Sequence, residues 1–256
     1  MIHHYRLIIQ YKGTRYLGWQ VQPSHYGETI QGRINDALRI VSKTSDIKSL
    51  GAGRTDAGVH ALGQVVKISI PLNISPRNLI PALNVNLPDD IRVIEADISD
   101  ESFIPTVNAL SKEYQYKFTA NRMFNALQND FIANYPFDLD IEIMREACKI
   151  LIGRHNFLNF YTEGTEVSST VREILHCEIE KIENPGWEMF PPYYNFKIVG
   201  TGFLKQMVRL LVGAIWNIGR GKVSLEHLKL ALGSEKMNRL GPVAPPQGLY
   251  LVRVNY

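Results

Sequence analysis

The chain has 256 residues, 45% apolar and 21% charged, ordinary figures for a globular protein with a substantial core. Cys148 and Cys177 are too few for a disulfide framework and lack the spacing of a zinc site, so a reducing cytoplasm is expected. The opening "MIHHYRLIIQYKG" offers no run apolar enough for a signal peptide or membrane span, and a net charge of +3 from 28 basic and 25 acidic residues names no partner.

"YRLIIQY" (5–11) alternates and predicts a first strand. "TIQGRINDALRIVSKT" (29–44) places Ile30, Ile34, Ala37, Leu38 and Val41 on one helical face, with Thr29 as N-cap. "GQVVKISI" (63–70) is a strand with Val66, Ile68 and Ile70 on a shared face. "SPRNLIPAL" (75–83) starts a helix with Ser75 as cap and Pro76 at its first position. "IRVIEADI" (91–98) and "EYQYKFTA" (113–120) are further strands, the second with Tyr114, Tyr116 and Phe118 pointing the same way. The second half echoes this order. "DIEIMREACKILIG" (140–153) is a helix capped by Asp140 and stopped by Gly153. The strands "REILHCEIEKI" (172–182) and "YYNFKIVG" (193–200) follow. After them come the apolar helix "GFLKQMVRLLVGAIWNIG" (202–219), ended by Gly219, the helix "SLEHLKLALG" (224–233) and the closing strand "GLYLVRVNY" (248–256).

Most connections are too short for repeated parallel crossovers, which predicts an α+β fold with a large, mainly antiparallel mixed sheet and flanking helices. A boundary is expected in the polar stretch "NRMFNALQND" (121–130), giving halves 1–120 and 121–256. Acidic residues are missing from 1–27, 57–88 and 189–225, while Arg6, Lys12, Arg15, Lys67, Arg77, Lys197, Lys205, Arg209, Arg220 and Lys222 fall there. If those stretches converge they make a positive face suited to a polyanion.

Among chemical motifs, "GAGRTD" (51–56) has Asp56 where a dinucleotide fingerprint needs its third glycine, and "GRGKV" (219–223) lacks the pattern of a phosphate loop. The histidines, at 3, 4, 25, 60, 155, 176 and 227, form no i, i+4 zinc pair. There is no G-x-S-x-G elbow. Asp56 remains: a single carboxylate beside Arg54 in "GAGRTDAGVHALGQV" (51–65), readable either as a turn residue or as a reacting group. Arg209, on an otherwise apolar helix, needs a carboxylate partner or a route to water.

"GRTDAGVHALGQV" resembles the catalytic loop of the TruA family of tRNA pseudouridine synthases. "YKGTRYLGWQVQP", "TIQGRINDAL", "KEYQY", "GRHNF", "GFLKQMVRLLVGAIWNIGRG" and "APPQGLYL" agree in order, from residue 5 to the C-terminus. The resemblance implies the pseudouridine synthase fold, two similar halves around a central cleft. It implies that Asp56 is the nucleophile, that Arg209 is its ion-pair partner, and that Tyr114 stacks on the target base and offers its hydroxyl for proton transfer. Arg54 would displace the target nucleotide, and Lys112 and Lys205 would join Tyr114 and Arg54 in binding substrate. It further implies no metal or organic cofactor, a homodimer, and action on uridines of the tRNA anticodon stem-loop just 3′ of the anticodon, at positions 38, 39 and 40.

The chemistry agrees with the residues. Moving uracil from an N1 to a C5 link needs no redox partner, phosphate or hydrolytic water, and one carboxylate serves whether it attacks C1′, attacks C6 or opens a glycal route. A retaining glycosidase would need two carboxylates about 5 Å apart. Two alternatives remain: an enzyme of this fold acting on another RNA, and a non-catalytic module stacking RNA on Tyr114, Tyr116 and Phe118. The chain also departs from the usual family pattern. Glu113 stands where a basic residue is frequent, Leu210 replaces asparagine, Pro246 replaces alanine, and "FIPT" (103–106) puts Thr106 in place of an arginine. A threonine brings neither charge nor reach, so a uridine that must be unpaired should be extruded less well. Thr106→Arg is expected to raise turnover more at stem uridines than at loop uridines, checked by release of C5 tritium at each target under fixed salt.

Overall fold

The computed structural model describes residues 1–23, 26–121, 126–164, 167–183 and 192–256. His25, residues 122–125 of the expected boundary and residues 189–191 of the third acid-free run lie outside them. In chain order the elements are β1 (His3–Tyr11), α1 (Ile30–Ser42), β2 (Lys48–Gly51), β3 (His60–Ile70), α2 (Pro76–Asn84), β4 (Ile91–Ile98) and β5 (Ser111–Thr119). Then come β6 (Ala133–Asn134), α3 (Ile141–Leu151), β7 (Gly153–Asn156), β8 (Val171–Ile182), β9 (Tyr193–Gly200), α4 (Met207–Gly219), α5 (Leu225–Ala231) and β10 (Leu249–Asn255). The architecture is α+β, with mainly antiparallel sheet and flanking helices. Two compact units divide the chain: Met1–Leu110 with Tyr250–Tyr256, and Ser111–Leu249. Thus β5, placed by the sequence reading in the first half, belongs to the second unit, and most of the closing strand belongs to the first.

In the first unit β1 runs antiparallel to both β3 and β4, with Leu7 opposite Val66 and Ala96. The other edge of β3 takes β10 in parallel near its start, Leu251 opposite Ala61, and β2 antiparallel near its end, Ser49 opposite Ile68. Tyr5, Leu7, Ile9 and Tyr11 are buried at every second position, the alternation a one-sided sheet demands. Removing each such large side chain from water is worth roughly 1.5–3 kcal/mol. Thr29 caps α1 by accepting from the Gly32 N–H at 3.2 Å, and α1 buries Ile30, Ile34, Ala37 and Leu38. Val41, expected on that face, is only half-buried, because it lies at the last turn of the helix. Ser75 does cap α2 by position, but its side chain makes no cap bond; its carbonyl takes the N–H groups of Asn78 and Leu79.

The second unit is built on an antiparallel run β5–β9–β8–β7, with Tyr116 opposite Phe196, Phe196 opposite Ile179, and Ile174 opposite Gly153. The two-residue β6 adds in parallel to β5. The Asp140 carboxylate accepts from the N–H groups of Glu142 and Ile143 at the start of α3, and Gly153, at φ +112°, turns the chain from α3 into β7. Trp216 of α4 centres the core: Tyr116 and Phe118 meet it edge-on at 5.7 and 5.6 Å, and Tyr135 stacks on it at 4.2 Å. Two boundaries of α4 differ from the sequence reading. The helix begins at Met207, not near 202, because Gln206 sits at φ +61° and breaks the preceding turn. Gly219 is its last helical residue, and the left-handed stop is Gly221 at φ +69°. Gly219 is small for another reason: a Cβ there would lie 2.6 Å from the Met144 sulfur.

Arg209, Gly213 and Asn217 are four residues apart and share one face of α4. Segment 240–245 lies along that face. The Asn217 Nδ2 donates to the Leu240 carbonyl at 2.8 Å, the Arg209 Nε donates to the Ala244 carbonyl at 2.7 Å, and the Ala244 N–H returns a bond to the Arg209 carbonyl at 3.2 Å. Between them, a Cβ on Gly213 would sit 1.8 Å from the Pro242 carbonyl oxygen. Gly→Ala inside a helix ordinarily gains about 1 kcal/mol. Here the crowded atom is main chain, so overpacking of about 1–3 kcal/mol or more outweighs that gain. Gly213→Ala is expected to lower the urea midpoint at constant m-value.

Candidate active site

The loop between β2 and β3 carries Asp56, and main chain shapes it. The Val59 N–H donates to the Asp56 carbonyl at 3.2 Å, closing a turn that holds Gly58 at φ +79°, while the Gly58 N–H donates to the Tyr16 carbonyl at 3.3 Å. Thr55 is buried, and its hydroxyl lies 2.8 Å from the Tyr11 hydroxyl. The Trp19 N–H donates to the Thr55 carbonyl at 3.1 Å. Segment 13–19 therefore backs the turn, and it approaches closely: a Cβ on Gly18 would lie 2.5 Å from the Thr55 carbonyl oxygen, and one on Gly13 1.9 Å from that of Val59. Asp56 is half-buried and Arg54 is exposed.

Segment 13–19 is itself pinned by Asp90. The Tyr16 hydroxyl donates to one Asp90 oxygen at 2.5 Å, and the Arg15 guanidinium donates to the other through Nη2 at 2.6 Å and Nε at 3.0 Å. Burial first, and the Asp90 carboxylate second, push the Tyr16 phenol up to about 12. The hydroxyl thus stays protonated and keeps donating across the neutral range. The local sequence does not announce Asp90, Tyr16 and Thr55, because their roles depend on contacts between stretches up to 75 positions apart.

In the second unit, Lys112 and Tyr114 lie on β5, and Lys205 and Arg209 lie before and within α4. Tyr114 is 7% exposed and meets the edge of Phe203 at 5.0 Å. Phe203 carries no sequence signal beyond its place in the "GFLKQ" block. Lys112 is half-buried, and burial lowers its pKa from the ordinary lysine value. Lys205 is exposed; its carbonyl accepts from the Thr162 N–H at 3.1 Å, and the Thr162 hydroxyl meets Gln206 Oε1 at 2.5 Å. Arg209 is half-buried and aimed by the Ala244 carbonyl, while the adjacent Pro245 carbonyl accepts from the Tyr116 hydroxyl at 2.8 Å. Burial drives the Tyr116 phenol well above its ordinary value, against the pull of the Arg209 charge.

Tyr116 and Phe118 are 0% and 1% exposed beneath Trp216, so the RNA-stacking module that would display them on an open sheet face is excluded. Among the described residues no three of His, Cys, Asp and Glu gather as metal ligands, and no helix is long and apolar enough to cross a membrane. A family model described as tRNA pseudouridine synthase matches residues 7–103 and 147–256. The chain is 37% identical to tRNA pseudouridine synthase A 2 of Desulfotalea psychrophila, over 99% of this chain and 98% of the relative. It is 37% identical to tRNA pseudouridine synthase A of Geobacillus kaustophilus, over 100% and 95% of the two chains. With the enzyme of that name from Bacillus pumilus it shares 39% identity over 97% of each. A chain in a solved Cbf5–Nop10–Gar1 complex matches at 12% identity and a TM-score of 0.34, over 96% of this chain and about half, 48%, of that one.

The buried hydroxyl pair behind Asp56 gives a stability test. Thr55→Val and Tyr11→Phe each remove one partner of this buried hydroxyl pair, at roughly 1–3 kcal/mol. The double variant removes both partners and should cost less than the sum, as urea unfolding of the four proteins in a double-mutant cycle would register.

Proposed function

Because the chain belongs to the tRNA pseudouridine synthase family, it isomerises uridine to pseudouridine in tRNA, and we propose that Asp56 is the nucleophile of that reaction. The observation that carries this reading is the build of the Asp56 turn. Thr55 and main-chain bonds supply its fixed shape, leaving Asp56 half-buried at its first position, with Arg54 exposed two residues before it. A group that reacts has to be held still and left reachable, and this turn meets both demands.

In the reaction the N1–C1′ bond breaks, the freed uracil turns, C5 bonds to C1′, the C5 hydrogen leaves as a proton and N1 gains one. Asp56 serves as an ionised carboxylate on any of three routes: attack at C1′, addition at C6, or proton removal that opens a glycal. Arg209 is assigned as the cation that pairs with this carboxylate, its guanidinium oriented by the Ala244 carbonyl. Tyr114 stacks on the extruded base, with Phe203 bracing the ring from its edge. Extrusion costs a few kcal/mol, of which a stacked aromatic face returns ~1–3. Arg54, exposed beside the nucleophile, takes the place the base leaves, and Lys112 and Lys205 hold the backbone. On the resemblance of the motifs, the substrate region is the anticodon stem-loop, the assembly a homodimer and the compartment the cytoplasm.

Asp56→Asn is expected to abolish release of tritium from C5-labelled uridine in a tRNA transcript while tRNA affinity, which comes mainly from phosphates, changes little. Near-normal turnover in that variant would end the assignment. Arg209→Met keeps bulk and removes charge, so tritium release should fall while tRNA affinity changes little; unchanged turnover would make Arg209 a packing residue.

A further inference from the structure

A cavity of about 320 Å³ opens in the second unit, lined by Arg154, Ser169, Val171, Arg172, Glu173 and Thr201. None of these residues belongs to the reaction scheme above. Arg154 comes from β7, Val171 to Glu173 from the start of β8, and Thr201 from the turn after β9. β8 and the turn are tied together, since the Thr201 N–H donates to the Glu173 carbonyl at 3.1 Å.

Arg172 is half-buried, and its Nη1 donates to the Ser169 and Val171 carbonyls at 2.8 and 2.7 Å. Carbonyls orient a guanidinium without neutralising it. Among the described residues neither Arg172 nor Arg154 forms an ion pair. Burial lowers the Arg172 pKa from its ordinary value, the mark of a charge held partly out of water. A desolvated cation of this kind is stabilised by an anion that completes its hydrogen bonds. Glu173, opposite Arg154 across the strands and exposed like it, also lines the cavity, and two arginines against one glutamate leave the lining positive. The Ser169 and Thr201 hydroxyls supply the neutral donors that a tetrahedral oxyanion accepts from.

Position narrows the ligand. The arginine Cδ and Nε lie alongside Gly202, where a Cβ would stand 3.6 Å from each. The next residue is Phe203, which braces Tyr114, and Lys205 is exposed on the same turn. We propose that Arg172 and Arg154 form a phosphodiester subsite that grips the tRNA backbone close to the nucleotide on Tyr114. A planar fork fixed by two carbonyls suits a phosphate oxygen pair better than a flexible lysine would. The subsite rests on tRNA being the substrate and does not depend on which residue is the nucleophile.

The test is equilibrium binding of an unmodified tRNA transcript across a salt series, in the wild-type and Asp56→Asn proteins, with Arg172→Gln and, separately, Arg154→Gln added. Loss of a charge-assisted phosphate contact is expected to weaken binding ~10-fold or more for Arg172→Gln. It should also lower the log–log salt slope by roughly 1. In the proteins that retain Asp56, KM should rise while kcat for tritium release holds. The Arg154 side chain is exposed and makes no hydrogen bond among the described residues, so Arg154→Gln guards against a folding defect and should lower the slope in the same sense. Equal affinity and slope in both variants would overturn the subsite, as would a fall in kcat at constant KM. Raised thermal stability with inorganic phosphate, abolished by Arg172→Gln but without any change in tRNA binding, would assign the cavity to free phosphate and overturn the proposal as well. Failure of the wild-type protein to bind tRNA would instead overturn the substrate itself.

Discussion

Main chain pressed against main chain, with no side chain between, is the constraint on which both units depend. In the first, Gly13 and Gly18 let segment 13–19 lie against the backbone of Thr55 and Val59, and this contact shapes the Asp56 turn. In the second, Gly213 and Gly241 let segment 240–245 lie against α4; a Cβ on Gly241 would fall 2.2 Å from the Gly213 carbonyl oxygen. The close approach brings the Ala244 carbonyl within reach of Arg209 and the Pro245 carbonyl within reach of Tyr116. Each contact is short enough to exclude rearrangement by small steps, because peptide groups are stiff and the interior is close-packed.

Charge is handled differently in the two units. Around the Asp56 turn the carboxylate of Asp90 takes three hydrogen bonds from Arg15 and Tyr16 and spends its charge on holding segment 13–19. In the second unit, carbonyl oxygens aim the Arg172 guanidinium, which fixes its direction and leaves its positive charge in place, and the Ala244 carbonyl orients Arg209. A guanidinium held in this way would meet an anion already positioned, its ordering entropy having been lost in folding.

Much of the fold is legible along the chain. The alternation in β1, the Thr29 and Asp140 caps, and the buried faces of α1 and α3 all follow from local rules that operate within a few residues. The errors fall where tertiary contacts override those rules. The short β2, β6 and β7 exist only because a longer neighbour offers an open edge, so no local pattern announces them. The apolar run from 202 continues the periodicity of a helix, yet Gln206 turns left-handed, and Phe203 is set against Tyr114 instead. Gly219 looks like a stop signal and is there to admit the Met144 side chain.

For the site, the sequence by itself singled out Asp56, through its isolation among glycines and the family resemblance of the loop around it. It also marked Arg209, because an arginine in an apolar helix demands a partner. These are properties of residue type and order. Only the tertiary structure decided what holds them: Tyr11, Tyr16 and Trp19 for the turn, and the carbonyl of Ala244, 35 positions along the chain, for the arginine. It also decided that Tyr116 and Phe118, which share a strand face with Tyr114, are core residues beneath Trp216. Strand alternation tells which residues share a face. Which face a helix then covers depends on the packing of elements distant in sequence, and that is settled only when the chain folds.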